Sequence, residues 1–141
     1  MILFIDDEEE MDSFKLGLEL SKYEYQVTLK TNIDDAWEYL GRNLNQISLV
    51  IMDVMIPPGK LLEEEDTKGG LRTGLALFDK IRGKSLSLPI VIFSSVSDQR
   101  VISQFKGKSK CLFLKKEEEL PSSLPHRVHE FMKSDLENAG R

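Results

Sequence analysis

Cysteine is nearly absent from this chain. Cys111 is the single one in 141 residues, so no internal disulfide can form, and the N-terminus lacks the basic stretch and apolar run of a secretory leader. Both absences point to a cytoplasmic setting. Long hydrophobic runs are missing as well. The apolar stretches are short and broken by Asp, Ser or Lys, well under the roughly 18 residues a spanning helix needs, so a soluble protein without membrane insertion is expected. Nor is there a basic excess: 19 Lys and Arg stand against 24 Asp and Glu, for a net charge of -5. That balance disfavours direct nucleic-acid binding, which relies on cationic side chains replacing phosphate counterions. What is present, 40% hydrophobic and 30% charged residues, suits one compact domain over residues 1–141 with little room for a second.

Five short runs rich in Ile, Val, Leu and Phe read as strands: ILFI (2–5), QVTL (26–29), ISLVIM (47–52), PIVIF (89–93) and CLFL (111–114). Three of them are apolar at consecutive positions, the mark of strands covered on both faces in a parallel sheet. The second, with Gln and Thr interleaved, reads as an edge. Helical stripes fall between them: Met11, Phe14 and Leu18; Ile33, Ala36, Trp37 and Leu40; Leu75, Leu77, Phe78 and Ile81; a weaker helix over about 98–105; and a last one near 124–136 with Val128, Phe131, Met132 and Leu136. Asn32 and Asp98 stand at expected N-caps, and Gly41, Gly83 and Gly107 at expected left-handed stops. Strict alternation of strand and helix predicts an α/β fold, a doubly wound parallel sheet of five strands with five helices, in the flavodoxin-like order 2-1-3-4-5. The acidic stretch 57–73, PPGKLLEEEDTKGGLRT, breaks the rhythm and reads as a loop.

In such sheets ligands bind beyond the carboxyl ends of the strands, and those positions are unusually polar. The first strand ends in Asp6 and Asp7, the third in Asp53, the fourth in Ser94 and Ser95, and the fifth in Lys115 and Lys116. Carboxylates gathered on one rim repel unless a cation joins them. Mg²⁺ suits two or three Asp with no His or Cys nearby, since it takes a few carboxylates and leaves room for phosphoryl oxygens. One carboxylate could then attack a phosphoryl group while hydroxyl and ammonium groups bind its oxygens. Asp53, ending the central strand before a long loop, is the best nucleophile; Asp6 and Asp7 are better placed as metal ligands.

ILFIDD, VIMDVMIPPG, PIVIFSS and FLKK resemble, in that order, the four signature blocks of the response-regulator receiver domain, and the resemblance covers nearly the whole chain. It implies an aspartyl phosphate on Asp53, with Mg²⁺ bound by Asp7, Asp53 and the backbone carbonyl of Met55, and Asp6 acting mostly through a bound water. Ser94 would hydrogen-bond the phosphoryl group, and the family's lysine would be Lys116, or Lys115 if LFLK is the aligned block. The donor would be a sensor histidine kinase or a histidine phosphotransfer protein. The chain would take part in its own phosphotransfer and dephosphorylation without turning over an external substrate. The output would be contact with a downstream protein through the fourth helix, fifth strand and fifth helix, a face including Gln99, Arg100, Phe113, His126 and His129. The C-terminal AGR does not read as a linker to a further domain.

The chain departs from the family pattern in three ways. Phe113 stands where the switch aromatic is usually Tyr, Glu117 stands where Pro usually follows the lysine, and Pro57 and Gly74 are far enough apart to imply thirteen inserted residues. Two other functions use the same features: an interaction module independent of phosphorylation, and a phosphohydrolase, for which Met55 two residues after Asp53 breaks the Asp-x-Asp pair. The insertion itself is either a solvated loop or a lid or partner element, and its acids Glu63, Glu64, Glu65 and Asp66 are expected to be hydrated rather than to hold a second metal. His126 and His129 have no obvious partner. Cys111 reads as a small buried hydrophobe, and Trp37 as core.

Overall fold

The computed structural model describes residues 1–70 and 72–139; Leu71 in the 57–73 stretch and Gly140 and Arg141 of the terminal AGR lie outside them. The elements run β1 (Ile2–Ile5), α1 (Met11–Leu20), β2 (Val27–Lys30), α2 (Ile33–Asn43), β3 (Leu49–Met52), α3 (Thr73–Lys84), β4 (Ile90–Ser94), α4 (Gln99–Lys106), β5 (Cys111–Lys115) and α5 (Leu124–Ala139), with single 3-10 turns after α2 and β5. All neighbouring strands are parallel, and their order is β2-β1-β3-β4-β5, the doubly wound arrangement expected from the alternation.

The sheet's pleat sorts each strand's residues onto two faces. Leu3, Ile5, Val50, Met52, Ile90 and Ile92 join Ile33, Leu40, Leu77, Phe78, Ile81, Val101 and Phe105 under α2, α3 and α4. Ile2, Phe4, Leu49, Ile51, Val91 and Phe93 join Met11, Phe14, Leu18, Leu124 and Val128 under α1 and α5. Because both faces are covered, β1, β3 and β4 are buried at every position, while β2 and most of β5, the two edges, are half-buried.

Asn32 caps α2 by accepting from Asp35 N, and Asp98 caps α4 by accepting from Arg100 N, as expected. The three glycine stops are not found. Gly41 and Gly83 lie inside α2 and α3, and Gly107 ends α4 with φ -87°, in the right-handed region. Among the described residues the left-handed glycines are Gly59, Gly69 and Gly70, all within the 57–73 stretch. Leu136, expected in the α5 stripe, is 73% exposed, whereas Val128 of the same stripe is fully buried. Trp37 is half-buried at the core margin, with Lys84 Nζ 4.8 Å above its ring.

Residues 59–70 of the 57–73 stretch are mostly turns, yet they are tied down. Leu62 is fully buried, Lys60 N and Leu61 N each donate to the Asp34 carboxylate of α2 at 2.9 Å, and Arg72 N donates to Thr67 O at 2.8 Å. Those two backbone bonds hold the Asp34 carboxyl below its usual range. Glu63, Glu64, Glu65 and Asp66 remain exposed.

Candidate functional site

Four strand ends meet at the carboxyl edge of the sheet where the chain order reverses between β1 and β3. β1 delivers Asp6, β3 delivers Asp53, β4 ends in Ser94, and the turn after β5 begins with Lys116; all four side chains are buried. Buried charges need partners, and here each has them. Ser94 Oγ donates to Asp53 Oδ1, which also accepts from Met55 N at 3.2 Å. Lys116 Nζ lies 2.9 Å from Asp53 Oδ2, 2.8 Å from Asp6 Oδ2 and 3.1 Å from Glu8 Oε1. Ser94 Oγ is itself positioned by accepting from Val96 N at 3.3 Å.

The electrostatics follow from this crowding. Burial pushes the Asp6 carboxyl up to about 6, against the pull of Lys116 and the Glu8 N–H that it accepts. Burial alone would lower the Lys116 ammonium, but Asp6 and Asp53 outweigh it and hold its pKa above the usual lysine value.

Among the described residues, Asp6, Glu8 and Asp53 form the group whose carboxylate oxygens lie within 4.8 Å of one another. Asp6 Oδ2, although at ion-pair distance from Lys116, takes no well-formed hydrogen bond. A buried carboxylate oxygen left short of donors, in an all-oxygen cluster, fits a hard divalent cation. Asp7 is exposed and stands outside that group. Lys115 is half-exposed, and its neighbour Lys116 is the lysine brought to Asp53.

Glu8 was not legible as a site residue: it is the first of three consecutive glutamates, and only the turn after Asp6 bends it back onto Lys116. The two histidines of α5 do have a partner, Tyr23, just beyond α1. Its ring stacks on His129 at 4.1 Å and 13°, and its hydroxyl lies 3.2 Å from His126 Nδ1. Gln99 and Arg100 are exposed on α4, and Phe113 packs at 6.3 Å from the Phe105 ring. Cys111 is half-buried, and burial pushes its thiol up to about 11, which suits an inert side chain. The peptide bonds of the turn Lys116–Glu118 are trans.

No model of a known protein family matches the chain. A 55-residue segment, 39% of the chain, is 34% identical to part of a 3',5'-cyclic-nucleotide phosphodiesterase, regA, of Dictyostelium discoideum, and spans only 7% of that protein. Solved structures align over almost all of the chain. A signal receiver domain of an HD domain-containing protein from Pseudomonas fluorescens has a TM-score of 0.71 at 16% identity, covering 99% of this chain and 91% of that one. A response regulator receiver domain protein from Clostridium thermocellum has a TM-score of 0.70 at 20% identity, covering 94% of each chain. The BeF3-activated N-terminal receiver domain of Klebsiella pneumoniae RstA has a TM-score of 0.63 at 26% identity, covering 93% and 97%.

Proposed function

We propose that this chain, which has the fold of a response-regulator receiver domain, is a phosphoacceptor in two-component signalling, with Asp53 as the residue modified. The observation that carries the reading is the pair of contacts on Asp53: Ser94 on Oδ1 and Lys116 on Oδ2, all three buried at the strand ends. A carboxylate so held is fixed in orientation at the strand ends. The Lys116 ammonium and Ser94 hydroxyl are the donors that would take up oxygens of the arriving phosphoryl group. In the transfer an Asp53 oxygen forms a bond to phosphorus as the bond from phosphorus to the donor breaks.

Mg²⁺, held by Asp53 with Asp6, Asp7 and the Met55 carbonyl, would supply charge neutralisation for the phosphoryl oxygens. Glu8 is a further candidate ligand, since its carboxylate belongs to the same group as Asp6 and Asp53. The donor in this reading is a sensor histidine kinase or histidine phosphotransfer protein, and the output is contact with a downstream protein. Among the described residues no helix is long and apolar enough to cross a membrane.

The test is intact mass after incubation with acetyl phosphate and Mg²⁺. The parent should gain one phosphoryl group, dependent on the metal, and Asp53→Asn should gain none. No gain in the parent, where a control receiver is modified, removes the proposal.

A further inference from the structure

Beside the acceptor a cavity of about 570 Å³ opens between the 57–73 stretch and the start of α4. Two of its walls begin at the acceptor group. Met55, whose N–H is bonded to Asp53 Oδ1, lines one side, and Val96, whose N–H is bonded to Ser94 Oγ, lines another. The same cavity is lined by two cations, Lys68 and Arg72, both from the 57–73 stretch. The backbone that carries Arg72 is tied down. Arg72 N is bonded to Thr67 O, Thr67 is buried, and Gly74 N is bonded to Val54 O at 2.9 Å.

The present partners of these cations are loose. Lys68 Nζ lies 3.1 Å from Asp66, whose side chain is 75% exposed, and Arg72 reaches Asp98 Oδ2 only at 3.6 Å, beyond good hydrogen-bond range. Exposed pairs of this kind are weak, and Asp98 is already engaged through Oδ1 in capping α4. The guanidinium can therefore turn its fork to an incoming carboxylate. The apolar side chains of Met55, Val96 and Val101, with two cations that outnumber the one carboxylate of the lining, Asp98, suit a small carboxylate carrying a short hydrocarbon tail.

We infer that this cavity is a leaving-group subsite, and that Lys68 and Arg72 favour acyl phosphates as direct donors to Asp53. The inference rests on the reading of Asp53 as phosphoacceptor. An Asp53 carboxylate oxygen bonds to phosphorus, and the bond from phosphorus to the acyl oxygen breaks, its electron pair leaving on a carboxylate. Aspartyl phosphate and free carboxylate are the products, with no net change of charge or protons. Negative charge grows on the departing oxygen, where the two cations can stabilise it. A phosphoramidate donor gives its electron pair to nitrogen and departs neutral, so it gains nothing from them.

The experiment compares rates of mass gain from acetyl phosphate and from phosphoramidate, in the full chain with Mg²⁺, with Trp37 fluorescence confirming that each variant is folded. A double variant, Lys68→Gln with Arg72→Gln, should lose about tenfold in rate with acetyl phosphate and less than about twofold with phosphoramidate. Asp98→Asn, which still caps α4 but no longer pairs with Arg72, should react with acetyl phosphate no more slowly than the parent. Equal losses with both donors, no loss with acetyl phosphate, or a loss reproduced by Asp98→Asn would overturn the subsite. A parent that takes phosphoryl groups from neither donor overturns the phosphoacceptor reading itself, and the subsite with it.

Discussion

At Lys116 one ammonium stands within 3.1 Å of three carboxylates, those of Asp6, Glu8 and Asp53. Two of these are fully buried, so removing the ammonium leaves like charges facing each other out of water, and breaking such a pair costs about 3–5 kcal/mol. Lys116→Met should lose that much at pH 8 in a denaturant titration without Mg²⁺, and less at pH 5, where Asp6 can take up a proton. A variant as stable as the parent at pH 8 would show that these charges do not depend on one another. The parent carries the same sign in milder form. Because the folded Asp6 carboxyl titrates near 6 rather than at its ordinary 3.8, the folded state holds the proton more tightly. Its contribution to stability therefore falls as pH rises from about 4 to 6, by about 3 kcal/mol at most.

Among the elements, α3 is the one whose entry the site constrains. A Cβ on Gly74 would stand 2.6 Å from Val54 Cα and 3.0 Å from Asp53 O, both backbone atoms that cannot swing aside. Gly74→Ala must push the first turn of α3 off the loop that follows Asp53, at a cost of about 1–3 kcal/mol, and phosphorylation of Asp53 should slow with it. Gly83, near the exposed end of the same helix, has nothing within 4 Å of its would-be Cβ, so Gly83→Ala should stabilise by about 0.5–1 kcal/mol through helix propensity. Thermal melts of the two variants shifting in the same direction would contradict this account. The glycine stops expected at Gly41 and Gly83 fail for a geometric reason. Helix ends marked by glycine need a left-handed residue, whereas α2 and α3 run past theirs, α2 passing into a 3-10 turn at Leu44 and α3 ending at the extended Ser85.

For the molecule as a whole, a cation that binds the ionised cluster of Asp6, Glu8 and Asp53 binds the folded chain alone, since the unfolded chain does not assemble it. Mg²⁺ at about one hundred times its dissociation constant should add about 2.7 kcal/mol of stability. The gain should fade below pH about 6, as protons on Asp6 compete with the metal. Melting curves with and without Mg²⁺ at pH 8 and pH 5 measure it, and a melting point indifferent to the metal at both values would discard the cation site.

The sheet order, the central and edge strands, the two caps and the gathering of Asp6, Asp53, Ser94 and a lysine at one rim were all legible in the chain. They follow from local causes: consecutive apolar residues demand a strand covered on both faces, capping needs a side chain beside its own helix, and parallel strands end on one edge. What the tertiary structure alone decided are matters of aim. Lys115 and Lys116 are adjacent, and which of them turns inward depends on where β5 gives way to the 3-10 turn. Asp7 and Glu8 are adjacent too, and the bend that accepts Glu8 N on Asp6 sends Glu8 to Lys116, 108 residues away. The 57–73 stretch reads as polar and featureless because its anchors, Asp34 on α2 and the buried place of Leu62, belong to the fold around it, and no local pattern encodes a contact whose other half lies elsewhere in the chain.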